Sequence, residues 1–125
     1  MVYVECNDDY LVSLGVFIAQ WIDSNPEISL QTSGSTGTPK TVLMSKQAMV
    51  NSAIATAAYF NLESGNSALS CLPFEYIAAK MMFVRAYVLG LDMDCVNPSS
   101  SPLKDLKRSY DFCAMVPLQL ENSIE

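Results

Sequence analysis

Thr32-Ser33-Gly34-Ser35-Thr36-Gly37-Thr38-Pro39-Lys40 is the stretch of this sequence best equipped for chemistry, with five hydroxyls, two glycines, a proline and a lysine in unbroken order. Glycine lets the main chain take positive φ and lets a ligand come close to the backbone. Successive amides in such a turn converge into an anion-binding nest. The hydroxyls add donors that can follow oxygens around a phosphate, and Lys40 is the first basic residue of the chain. Every part suits a polyphosphate. Two common phosphate loops fit poorly. The P-loop needs four residues between its glycines and a Gly-Lys-Ser/Thr ending, and the dinucleotide fingerprint needs three glycines opening a helix. Only two residues separate Gly34 from Gly37, and Pro39 precedes Lys40. A ligand-free Ser/Thr/Gly hairpin is the bland alternative, but it does not require this order of residues.

The elements that must position the loop alternate short β-like runs with runs of helical period. Leu11, Leu14, Ile18 and Ile22 fall at helical spacing, with Asp8 or Asp9 placed to cap and Pro26 closing the segment. Residues 28–32 read as a strand leading into the loop and residues 41–44 as a strand leading out. Ser45 is placed as an N-cap for a helix whose buried face would be Met49, Ala53, Ile54, Ala57 and Phe60. Residues 68–72 read as a strand stopped by Pro73. A helix over about 75–89 follows, presenting Ile77, Met81, Val84 and Val88. Residues 92–96 read as a strand, 103–108 as a short helix and 111–116 as a strand. Pro117 suits a helix's first turn, where its missing N–H costs nothing. Strands separated by crossover helices predict an α/β fold with a parallel sheet. The final helix would have about two turns, too few to cover a sheet face.

Composition narrows the function classes. The 125 residues are 50% hydrophobic and 16% charged, which suits one packed domain rather than a disordered segment. Thirteen acidic against seven basic residues give a net charge of −6, the wrong sign for general nucleic-acid binding. With no histidine, histidine-based triads, zinc sites and general bases are excluded within this chain. Cys6, Cys71, Cys95 and Cys113 show no Cys-x-x-Cys spacing, and the last three lie in short apolar runs. They read as buried reduced thiols in strands, with a disulfide framework as the weaker alternative, which points to a reducing, cytoplasmic setting. The apolar stretch 10–22 is preceded by acidic residues and is too short to span a bilayer, so no membrane segment is predicted.

The loop resembles the signature of the adenylate-forming superfamily, which includes acyl- and aryl-CoA synthetases, luciferases and peptide-synthetase adenylation domains. That signature reads Thr-Ser/Gly-Gly-Ser/Thr-Thr-Gly-x-Pro-Lys, and Thr32 to Lys40 match it residue by residue. Thr41 departs from it, standing where the family often has glycine. The resemblance implies that Thr32, Ser33, Gly34, Ser35, Thr36, Gly37, Thr38 and Lys40 hold the β- and γ-phosphates of ATP. Leu72-Pro73-Phe74-Glu75-Tyr76-Ile77-Ala78-Ala79 is similar to the family segment in which an aromatic or histidine lines the acyl pocket, so Tyr76 is the candidate there; an ordinary helix-start aromatic remains the alternative. Lys80 and Arg85 read as solvated or snorkelling charges rather than ligands.

Met115-Val116-Pro117-Leu118-Gln119-Leu120, and the helix segment Lys80 to Ala86, resemble the o-succinylbenzoate–CoA ligases of menaquinone biosynthesis. A plain strand-to-helix passage would also account for the Val-Pro pair. The resemblance implies that residues 1–125 form the front part of the large N-terminal AMP-binding domain, without its remainder or the small C-terminal domain. The family's Tyr-Gly-x-Thr-Glu segment, whose Glu helps bind Mg²⁺, its ribose-binding Asp and its catalytic Lys are absent from this sequence, so no catalytic residue is assigned in it. The implied co-substrates are ATP, Mg²⁺ and CoA with a small aromatic carboxylate. The chain alone is expected to be inactive and to self-associate. Another aryl- or fatty-acid–CoA ligase and a non-catalytic, self-associating binding module are the alternatives.

Overall fold

The fold is that of a computed structural model describing residues 2–5, 8–32, 37–38, 40–103 and 108–124. In chain order the elements are β1 (Val2–Glu5), α1 (Asp8–Ile22), β2 (Glu27–Thr32), β3 (Lys40–Ser45), α2 (Lys46–Phe60), β4 (Ser67–Ser70), α3 (Ile77–Leu89), β5 (Asp92–Val96), β6 (Phe112–Ala114) and α4 (Pro117–Ser123). The expected parallel sheet is present, in the order β1-β5-β4-β6 with every neighbouring pair parallel. The strands flanking the glycine loop stand outside it as a separate antiparallel ribbon. Seven residues join them, too few for the crossover that parallel pairing requires.

The strand β1 was not among the expected elements, although the alternation Val2-Tyr3-Val4 is a short β signal. The expected strands at 68–72 and 111–116 contract to β4 and β6, so Cys71 lies just beyond a strand rather than in one. Cys71 and Cys95 are buried thiols, and Cys113 is half-buried; Cys6 lies outside the described residues. The short helix expected at 103–108 falls mainly on residues 104–107, also outside them. Among the described residues no helix is long and apolar enough to cross a membrane.

Helix faces required more correction than helix positions. In α1 the buried side chains are Tyr10, Leu14, Phe17 and Trp21, whereas Leu11 and Ile22 are exposed. Helical spacing was read correctly, but the large aromatics rather than the aliphatics turn inward. In α2 only Met49 and Ala53 are buried, and Ile54 and Phe60 are exposed. The helix α3 begins at Ile77 rather than Glu75, and it buries Ala79, Met81, Met82, Phe83, Val84 and Ala86. It packs against α2, the ribbon strand β2 and the sheet strands β4, β5 and β6. A helix covered on several sides is apolar around most of its circumference, so a single stripe of Ile77, Met81, Val84 and Val88 understates it.

The elements are closed by local chemistry. Ser45 caps α2 as expected: its Oγ accepts from the Ala48 N–H at 2.9 Å. Asn61, at φ 55°, ends that helix, and Gly90, at φ 71°, ends α3. The left-handed backbone demands glycine there, and a Cβ at Gly90 would in addition lie 2.8 Å from Ser64 Oγ, which would have to rotate away. The foot of the ribbon is fastened by Lys46, whose Nζ donates to Asp23 Oδ1 at 2.8 Å and to the Asp23 carbonyl at 3.0 Å. That contact and the Asn25 N–H hold the Asp23 carboxyl below its usual range. The segment before β6 is tied to β5 by Tyr110, whose Oη donates to Asp94 Oδ2 at 2.6 Å, and by Arg108, which reaches Asp94 and Asp92. Burial and the Asp94 carboxylate push the Tyr110 hydroxyl up to about 12.

An aromatic cluster occupies the core. Phe17 meets Phe74 edge-on at 5.6 Å and Phe83 at 5.8 Å, and Tyr10 meets Phe74 at 5.6 Å. Truncating Phe17 to Ala should therefore cost about 3–5 kcal/mol, read as a lower denaturant midpoint. Gly90→Ala should cost about 1–3 kcal/mol in the same measurement, through the left-handed backbone and the Ser64 contact together.

Candidate functional site

The ribbon presents the loop. Ile28 and Leu30 of β2 are each 2% exposed, while the alternating Ser29 and Gln31 face outward. This period-two alternation lays one face of the ribbon on the core. The register runs from Glu27↔Ser45 to Thr32↔Lys40, so Thr32 and Lys40 form the last rung and the loop springs directly from it. Gly37 has φ +78°, with nothing among the described residues within 4 Å of a would-be Cβ, so its backbone conformation favours glycine. Thr38 is exposed beside it. Ser33, Gly34, Ser35, Thr36 and Pro39 lie outside the described residues. Of the loop candidates, the structure thus places Thr32 and Lys40 at the ribbon's end, with Gly37 and Thr38 beyond them.

A left-handed glycine, an exposed hydroxyl residue and a lysine at the closing rung form a donor set that fits a polyphosphate. The described residues of the loop supply no carboxylate for a divalent cation. Among the described residues no group of three or more His, Cys, Asp or Glu is placed to hold a metal.

Tyr76 stands at the N-cap of α3 without a side-chain capping bond and is 49% exposed. It lines an open groove of about 360 Å³ with Leu72, Pro98, Val116, Leu118 and Gln119. None of the described loop residues lines that groove. Loop and groove are therefore separate features of the described structure.

Two charged side chains on α3 have structural partners. Lys80 Nζ donates to the Phe74 and Glu75 carbonyls at 2.9 and 3.1 Å, closing the turn ahead of its own helix. Burial lowers its pKa, and the Glu75 charge opposes that shift. Arg85 lies over the Phe112 ring at 5.6 Å, and burial lowers its pKa as well. Lys80 Nζ is thus held by backbone carbonyls, and the Arg85 guanidinium lies against a ring with its Nε buried and without a hydrogen-bond partner among the described residues.

Gln119 has a role that sequence reasoning missed. It is 4% exposed, and its Nε2 donates to the Cys71 carbonyl at 3.0 Å and the Ser99 carbonyl at 2.8 Å. Its Oε1 accepts from the Val116 N–H at 3.2 Å. One amide thereby joins the start of α4, the exit of β4 and the 97–102 turn, at the back of the groove. The available signal was a Gln two positions after an N-terminal Pro, where a helix-start side chain can reach back to its cap.

Residues 26–119, from the foot of the ribbon to Gln119, match the family described as AMP-binding enzyme. Among solved structures, an acyl-CoA synthetase (AMP-forming)/AMP-acid ligase II-like protein from Dyadobacter fermentans is similar, with a TM-score of 0.84 and 36% identity. That match covers 92% of this chain and 33% of the other, so the present chain spans about one third of that protein's length. The inhibitor-bound N-terminal domain of FACL13 from Mycobacterium tuberculosis is similar in fold, with a TM-score of 0.51 and 22% identity over 57% of this chain and 18% of that one. A keto acid-selecting NRPS module containing adenylation and ketoreductase regions also shares the fold, with a TM-score of 0.51 and 17% identity over 77% of this chain and 10% of that one. No match is found among curated proteins. The family match spans the ribbon, the sheet strands β4, β5 and β6 and the groove, and on that basis the chain belongs to the AMP-binding enzyme family.

Proposed function

We propose that this chain is the phosphate-loop-bearing part of an ATP-dependent acid–CoA ligase, working in the cytoplasm. The observation that carries the reading is the Thr32–Lys40 string set at the end of the β2–β3 ribbon within the matched region. In the proposed reaction a substrate carboxylate attacks the α-phosphorus of ATP and pyrophosphate leaves. The CoA thiol then displaces AMP to give the thioester. Negative charge grows on the departing pyrophosphate in the first step. Donors fixed toward that charge stabilise the transition state more than the ground state. Thr32, Ser33, Ser35, Thr36, Thr38 and Lys40 are the proposed side-chain donors, with Gly34 and Gly37 shaping the backbone. Mg²⁺ is a proposed companion of ATP, held by residues outside this chain.

The Tyr76 groove is the proposed acyl pocket, since an open apolar wall with one aromatic suits an aromatic carboxylate. The o-succinylbenzoate assignment rests on the likeness of Val116 to Leu120 and Lys80 to Ala86 to those ligases. The buried amide of Gln119 gives part of that motif a structural reason, so the motif supports the subfamily less strongly than the loop supports the family. A second reading, a self-associating binding module, draws on the exposed Tyr59 and Phe60 of α2 and Leu118, Leu120 and Ile124 at the chain's end.

In the longer enzyme that contains this segment, Lys40→Ala and Gly37→Ala should each slow ATP–pyrophosphate exchange by on the order of 10²–10³. Wild-type exchange in both variants would remove the phosphate-loop assignment. A panel of carboxylates offered to that enzyme should give the highest kcat/KM with o-succinylbenzoate, and preference for a fatty acid would reject the subfamily while leaving the loop assignment intact.

A further inference from the structure

Cys71 and Cys113 are nucleophilic groups that the ligase reading leaves unused. Their sulfurs lie 3.6 Å apart, in direct contact. The register explains the meeting. Leu69 pairs with Cys113 and Ser70 with Ala114 across parallel strands β4 and β6, and Cys71, one residue past the end of β4, follows Leu69 by two positions and so comes up diagonally to Cys113. Cys95, the other described cysteine, lies in β5 on the far side of β4 from β6.

We propose that Cys71 and Cys113 form a redox-sensitive pair that hydrogen peroxide converts to an intramolecular disulfide. Closing the contact to bond length requires roughly 1.6 Å of approach. The side able to move is β6, a three-residue strand at the sheet's edge that pairs with β4 alone among the described residues. Exposure selects the sulfur that meets the oxidant. Cys71 is wholly buried, whereas Cys113 is half-buried and lines a groove of about 290 Å³ with Leu69, Tyr110 and Met115. The contact also shares a proton. Donation from Cys113 lowers the Cys71 pKa against the opposition of burial, and the same bond pushes Cys113 up. The pair therefore gives up one proton more readily than two, leaving one thiolate and one thiol.

The chemistry balances with peroxide as the two-electron oxidant. The resting charge favours Cys71, but that sulfur is buried from the oxidant. The shared proton moves across the contact from Cys113 to Cys71, and the resulting Cys113 thiolate, which the groove admits to peroxide, attacks one peroxide oxygen. The O–O bond breaks, hydroxide leaves as water with the proton the pair has released, and Cys113 carries a sulfenic acid. The Cys71 sulfur then attacks the Cys113 sulfur, the S–O bond breaks, and the second hydroxide leaves as water with the remaining thiol proton. Two thiols are oxidised by two electrons and one peroxide is reduced to two waters. The resulting bridge ties β6 to the exit of β4, where the Gln119 amide holds the Cys71 carbonyl, so oxidation reaches the back wall of the Tyr76 groove. The proposal is independent of which substrate that groove takes.

Treating the folded chain with hydrogen peroxide, blocking residual thiols with iodoacetamide and mapping peptides by mass spectrometry tests this directly. The expected result is joint loss of the Cys71 and Cys113 thiols into one linked peptide pair two hydrogens lighter, restored by dithiothreitol. Cys71→Ser should instead leave a sulfenic acid at Cys113 that dimedone captures. The proposal is overturned if Cys71 and Cys113 remain alkylatable after treatment, or if the bridge maps to Cys6, Cys95 or a second chain. Should Cys71→Ser fail to fold, the wild-type peptide map decides alone.

Discussion

The burial of the Phe74 ring is the contact through which the other parts of the molecule are brought into relation. Its ring is 1% exposed and meets Tyr10 and Phe17 of α1 edge-on, a geometry that satisfies the quadrupoles of the rings as well as their area. Phe74 sits in the turn between β4 and α3, so seating it fixes where α3 starts. Lys80 then reaches back to the Phe74 and Glu75 carbonyls and supplies the hydrogen bonds that a buried turn must find somewhere. The same turn carries Leu72 and Tyr76, which wall the groove. An aromatic anchor on one side thus positions a potential binding surface on the other.

The glycine loop is held by different means. Its ribbon shares no backbone ladder with the parallel sheet, and it is attached by Ile28 and Leu30 in the core and by the Lys46–Asp23 clamp at its foot. The exposed ion pair contributes little to global stability; its value lies in fixing the angle at which β3 passes into α2.

Much of this was legible in the residues. The Ser45 cap, the strands leading into and out of the loop and the alternation of strands with helices all depend on local chemistry, and each appears where local rules place it. Helix faces were read less well. Periodicity finds the stripe but not its phase when several apolar residues compete, and bulky Phe17 and Trp21 displaced Leu11 and Ile22 from the interior. The helix α3 looked amphipathic only because its surroundings were unknown; packing from several directions removed the distinction between its faces. The Gln119 clamp and the meeting of Cys71 with Cys113 depend on residues more than forty positions apart, and no local window contains both partners. The antiparallel pairing of β2 with β3 follows from loop length, a constraint present in the sequence, whereas the ribbon's separation from the parallel sheet does not.

The strand order β1-β5-β4-β6 also bears on how the molecule is made. The earliest strand finds its only described neighbour in β5, with Val2 opposite Met93. Pairing so remote in sequence is slow, since a long loop must close before any hydrogen bond rewards it. On a ribosome the leading segment would emerge well before its neighbour is synthesised, with its backbone donors and acceptors unmatched. During that interval α1 and the ribbon can collapse locally, and the sheet can be completed only from its late-made middle outward.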